Sequence, residues 1–179
     1  MLSGVGRGRE EREELVRKST SIGIFVLAVA SLAAGQAGES PDAAKVKYPA
    51  GYRSWAHVKS MVIQPGHPLY DSFGGMHHIY ANPPALEALK SRRPYPDGAV
   101  LVFDLLETRA EEEAIMEGSR KLVGVMEKNS KKFAATAGWG FEGFRGDTEE
   151  RLVTDSGAAC FQCHATQKQA DYVFCLYRK

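Results

Sequence analysis

Three side chains that seldom occur together stand within five residues near the end of the chain, in Cys160-Phe161-Gln162-Cys163-His164. Two thiols three apart, with an imidazole directly after the second, have the spacing by which haem c is attached covalently. On a helix, residues three and four apart share a face, so Cys160, Cys163 and His164 would all present to one flat object. The thiols would add across the haem vinyl groups as thioethers, and the imidazole of His164 would become the proximal iron ligand. Two other chemistries fit parts of the pattern. A C-x-x-C redox pair wants a βαβ surround and leaves His164 without a role. A zinc site drawing on Cys160, Cys163, His164 and Cys175 lacks the second spaced ligand pair of zinc modules, and its histidine abuts a cysteine ligand. Covalent haem uses all three residues.

The rest of the chain has to deliver that pentapeptide to the right compartment and hold it. At 179 residues, 44% hydrophobic and 25% charged, there is material for one globular domain. The N-terminus reads as an export signal over residues 1–37: Arg17 and Lys18, an apolar run from Ile22 to Ala34, then small residues up to a cleavage point after Ala37. The run is shorter than the about 20 apolar residues of a membrane-spanning helix, so a retained membrane tether is the less favoured reading. Export to the periplasm agrees with the motif, because bacterial haem c is attached outside the cytoplasmic membrane. Cleavage removes five basic and four acidic side chains and leaves 18 of each, a neutral protein with no nucleic-acid footprint. Cys175 is then an odd cysteine. Its neighbours Phe174 and Leu176 favour a buried, inert thiol, and no role is assigned to it.

Residues 38–47 read as a flexible leader, with the domain over 48–179. Val58 to Ile63 is a β-branched strand, and Gln64 to Gly75 is a loop made apolar by Leu69, Tyr70 and Phe73. Met76 to Ala81 is a second strand, with Met76, His78 and Tyr80 on one face and His77 and Ile79 on the other, so one histidine of the pair faces inward. Asn82 caps a helix that opens with Pro83 and Pro84 and runs to Lys90. After a turn at Tyr95 to Gly98, Ala99 to Leu106 is apolar on both faces and therefore central. Arg109 to Gly118 is acidic and reads as a solvated helix or loop. Leu122 to Met126 and the aromatic Trp139 to Phe144 are further strands. In the latter, glycines between aromatics suggest the close approach of something flat. Tyr172 to Tyr177 is a closing strand or extended tail. Only 15 residues follow His164 and none is methionine, which argues against a small His/Met electron carrier. Short β runs broken by glycine and proline argue against a four-helix cytochrome. A β-rich haem c domain is left.

The order of these pieces resembles the cytochrome P-460 family, which includes the cytochromes c′-beta. The matching features are Gly51-Tyr52-Arg53-Ser54-Trp55, Phe73, Ile79-Tyr80-Ala81-Asn82-Pro83, Lys90, Asp97-Gly98, Asn129 to Ala134, Trp139, the C-x-x-C-H and Asp171-Tyr172-Val173-Phe174. The resemblance implies an α+β fold, a mainly antiparallel β-sheet with a few short helices and a C-terminal haem-attachment helix, usually in a homodimer. It implies one five-coordinate haem c with an open distal side, where hydroxylamine is oxidised or nitric oxide is handled, with electrons leaving to a separate redox partner protein. Lys90 falls where hydroxylamine-oxidising members cross-link a lysine to the macrocycle, against the ordinary reading of a surface lysine at a helix end. Phe73 matches an aromatic that crowds the distal face, against an ordinary core aromatic. The distal proton acceptor stays open among Glu87, Asp104, Glu107 and Glu142. Two alternatives remain: a non-catalytic binder of nitric oxide or carbon monoxide, and an electron-transfer cytochrome with His77, His78 or Met76 as sixth ligand.

Overall fold

β-branched and aromatic runs separated by short turns leave each strand of this chain free to pair with the next one in sequence. The computed structural model describes residues 45–178. The export signal and most of the leader lie outside the described residues. Five antiparallel strands follow one another in chain order across a single sheet: β1 (Ala56–Ile63), β2 (Gly75–Ala81), β3 (Val100–Glu111), β4 (Ala114–Lys128) and β5 (Trp139–Arg145). Three short helices accompany them, α1 (Tyr70–Phe73), α2 (Pro83–Ser91) and α3 (Ala158–His164). The expected α+β class, and the helix carrying Cys160 and Cys163, are both present.

Strand alternation divides the core into two clusters, one on each side of the sheet. Ala81, Leu101, Trp139 and Phe141 point to the side where α2 packs through Ala85, Ala88 and Leu89, with Cys160 and Phe161 of α3 against the same cluster. We call this the helix face. Tyr80, Val102, Val123, Val125 and Phe144 point to the opposite side, where Val46, Tyr48, Tyr52 and Trp55 cover them. β3 is central in the sheet and, up to Leu106, buried on both sides, as its sequence predicts.

The start of α2 follows its sequence closely. Asn82 accepts a hydrogen bond from the Ala85 amide at 3.1 Å and one from Val100 at 2.9 Å, so one side chain both caps the helix and ties it to β3. The structure corrects three expectations. Arg109 to Gly118 is neither helix nor loop: β3 runs to Glu111 and β4 starts at Ala114, joined by a two-residue turn in which Glu112 and Glu113 have φ of 48° and 65°. Turns of that kind normally announce themselves with Asn-Gly, and here the sequence carries two glutamates instead. The 64–75 connection is not all loop, since Tyr70–Phe73 forms a helical turn. Packing also reaches back beyond Tyr48, because Val46 is buried beneath the sheet. The flat object beside Gly140 is the Phe133 ring, whose Cζ lies 2.3 Å from where a Cβ would be.

Candidate haem site

The attachment helix is set by its first turn. The Asp155 carboxylate accepts from the amides of Gly157 at 3.0 Å and Ala159 at 2.8 Å, and these bonds hold it below the usual carboxylate range. Gly157 has φ +84°, and a Cβ there would lie 3.0 Å from that of Phe141, so the helix starts in direct contact with β5. Cys160 and Cys163 are both free thiols. Cys160 is half-buried, and burial pushes its thiol up; Cys163 is exposed.

His164 ends the helix between two aromatic rings, those of Phe141 and Phe174, each with its centroid 5.0 Å away. Its Nδ1–H donates to the Tyr172 carbonyl at 2.7 Å. A carbonyl can only accept, so this bond fixes the tautomer and leaves the lone pair on Nε2, the form that ligates a metal. Burial also pushes the imidazole below its ordinary value, keeping it neutral. Asp171 holds the turn that presents the Tyr172 carbonyl. Its carboxylate accepts from Lys128 Nζ at 2.9 Å and from the Tyr95 amide at 2.8 Å, and its own carbonyl accepts from the Trp139 indole at 2.9 Å. Asp171 and Tyr172 both have positive φ, 49° and 67°. Sequence reasoning gave Asp171 no role. The signals were a carboxylate shortly after the motif and its place in the Asp171-Tyr172-Val173-Phe174 match, and what it binds is far away in the chain.

The donor set fits haem c: two unpaired thiols at helical spacing and one neutral imidazole with Nε2 available, all on one short element. The same residues fit zinc poorly, since among the described residues no group of three or more His, Cys, Asp or Glu side chains is arranged to hold a metal ion. Cys175 is half-buried and its thiol is pushed up by burial, in keeping with an inert role, although its neighbours Phe174 and Leu176 are exposed rather than buried.

Lys90 lies in the last turn of α2, exposed, with its Nζ 5.8 Å from the centroid of the Tyr177 ring. Tyr177 and Leu86 pack on the same cluster as Cys160, so helix, tail and attachment motif share the helix face. Phe73 is 39% exposed, its ring edge-on to Phe103 with centroids 5.8 Å apart. The candidate proton acceptors fall into two groups. Asp104 and Glu142 are engaged on the side away from the helices: Asp104 is fully buried and accepts from Arg120 Nε at 2.7 Å, and Glu142 accepts from Arg151 at 2.7 Å. Glu87 and Glu107 are exposed. Of the candidate sixth ligands, His78 faces Glu117, with Nε2 2.7 Å from the carboxylate, while His77 is buried on the helix face.

Residues 49–175 match the family model of cytochrome P460. No curated protein matches the chain.

Proposed function

As the chain belongs to the cytochrome P460 family, whose members are haem c cytochromes, we propose that it is an exported monohaem protein that oxidises hydroxylamine or handles nitric oxide at a five-coordinate iron. The observation that carries this reading is His164, held neutral with Nε2 free directly after two unpaired thiols. Haem c supplies an iron with one open coordination position, able to take a small nitrogen ligand and to pass electrons on. In this reading Cys160 and Cys163 would hold the macrocycle through thioethers and His164 would bind the iron through Nε2, its ring steadied by those of Phe141 and Phe174. Phe73 would line the ligand site, and Lys90 would supply the cross-link. The protein works in the periplasm as a homodimer and gives its electrons to a separate redox protein.

A second reading, a non-catalytic binder of nitric oxide or carbon monoxide, is favoured by one observation. The buried carboxylates, Asp104 and Glu142, are paired on the other side of the sheet and cannot accept a proton from a substrate on the helix face.

The test begins with the chain matured in a host that attaches haem c. Mass analysis of the fragment holding Cys160 and Cys163 should find one haem; a bare peptide would end both readings. If the Lys90 fragment travels with the haem, and hydroxylamine is turned over with an artificial acceptor, the enzyme reading stands. Haem without Lys90, and no turnover, selects the gas binder.

A further inference from the structure

We propose that His77 is the positioning residue of the distal side: by holding the Phe73 carbonyl it fixes where the Phe73 ring stands, and so which small ligands reach the iron. The inference rests on the reading of Phe73 as a distal aromatic.

β2 carries Ala81 into the cluster on the helix face, and alternation puts Ile79 and His77 on that same side. His77 is 1% exposed, and Nε2–H donates to the Phe73 carbonyl at 2.5 Å. Its ring stands edge-on to Phe103 with centroids 4.6 Å apart, and Phe73 meets the same Phe103 edge-on, so Phe103 contacts both rings. The next carbonyl along the chain, that of Gly74, accepts from Lys121 Nζ at 2.8 Å. Two consecutive carbonyls are therefore gripped from the sheet, while residues 64–73 before them are exposed. Gly74 and Gly75 let this turn pack too closely for a side chain. A Cβ on Gly74 would lie 2.5 Å from the Tyr70 ring, and one on Gly75 would lie 2.2 Å from the Leu106 carbonyl oxygen.

The second ring nitrogen of His77 decides what the residue is for. Nδ1 is buried and has no partner. A leucine of similar bulk would fill the space without burying an unpaired polar atom, so what histidine adds at this position is the bond to Phe73. Burial first, and then the charged and titratable neighbours Lys121 and His78, disfavour a second proton on the ring and outweigh the Phe73 bond, which favours it, so the ring stays the neutral single donor that the bond needs.

The test uses the haem-loaded ferrous protein and reads dissociation of carbon monoxide and nitric oxide, with the C–O stretching frequency as an independent signature. His77→Leu and Phe73→Leu should change the ratio of the two affinities in the same direction, by on the order of fivefold, the worth of one such hydrogen bond. The double variant should go no further than either single one, and His77→Gln, which restores a donor, should recover the original ratio and stretch. Independent additive effects, or an unchanged ratio in His77→Leu while Phe73→Leu alters it, would overturn the role of His77 alone. No change in Phe73→Leu removes the distal reading of Phe73 and the proposal with it. Should His77→Leu fail to fold, nitrogen NMR of the unaltered protein still decides. A slowly exchanging Nε2–H coupled to the Phe73 carbonyl supports the role, and a proton on Nδ1 overturns it.

Discussion

The two faces of the sheet are built from alternate residues of the same strands, yet they bury opposite chemistry. On the helix face the strands contribute Ala81, Leu101, Trp139 and Phe141, and His77 is the fully buried polar side chain there. On the other face Asp104 sits fully buried with Arg120 at 2.7 Å and Arg53 at 3.7 Å, and Glu142 is paired with Arg151. Neighbouring residues of β3, Phe103 and Asp104, thus serve edge-on ring contacts on one side and an ion-pair network on the other. The charges that look most chemical in the sequence hold the sheet to its N-terminal cover. On the face that carries the attachment motif, charge is held in the Lys128–Asp171 pair behind the His164 turn, and the strand positions around it are apolar.

The largest effect that could break this division is at Asp104. Replacing it with alanine leaves the Arg120 guanidinium facing an empty buried site, and breaking such a pair costs about 3–5 kcal/mol. Urea unfolding of Asp104→Ala should show a loss of that size, with haem attachment retained in the molecules that fold. A near-unchanged midpoint would mean that the network is not structural, and Asp104 would return as a candidate for chemistry.

Glycines test the same contrast at smaller cost. A methyl on Gly140 would lie 2.3 Å from the Phe133 ring and 2.6 Å from Val46 Cγ2, on the face covered by the N-terminal segment. Gly140→Ala should destabilise by about 1–3 kcal/mol, the usual result of overpacking. On the helix face Gly124 has Phe103 Cδ1 at 3.2 Å as its nearest neighbour, and Gly124→Ala should cost less. Equal losses in unfolding midpoint would show the two faces to be packed alike.

The faces should also differ in their response to acid. Burial holds His77 below its ordinary value, so near pH 6 the unfolded chain takes up a proton that the folded chain refuses. The stability that His77 contributes is present above its unfolded value of about 6.5 and is lost as pH falls through and below that point. Urea midpoints measured at pH 7.5 and pH 5 should fall with acid, and His77→Leu should flatten that slope. An unaltered slope would mean that the proton goes elsewhere.

How much of this could be read beforehand depends on how local each cause is. The pentapeptide, the Asn82 cap with Pro83 and Pro84, and the two-sided apolar run of β3 are written in adjacent residues, and each is present where its sequence puts it. The inward member of the His77-His78 pair follows from alternation once β2 is in place. Non-local causes were invisible. That Asp171 would aim the Tyr172 carbonyl at His164 depends on Lys128, Tyr95 and Trp139, brought together only by the fold. Asp104 and Glu142 looked like candidate bases because a sequence does not reveal which carboxylates already face a guanidinium.

The β3–β4 turn departs from its local sequence for a different reason, and it allows the smallest test. Glu112 and Glu113 hold left-handed backbone, which a side chain resists and glycine does not. Nothing in the local composition announces such a turn; what imposes it is the pairing of Glu111 with Ala114 and of Ala110 with Ile115 on either side. The long ladder therefore overrides the preference of two residues, and the conformational cost is borne at the hairpin tip, away from both core clusters. Replacing Glu112-Glu113 with Asn-Gly removes that cost and should stabilise the protein by about 0.5–1 kcal/mol. Because the tip belongs to neither face, carbon monoxide affinity should stay unchanged in this variant. A change in affinity would mean that the hairpin and the helix face are coupled through β4, and that the division between the two faces does not extend to function.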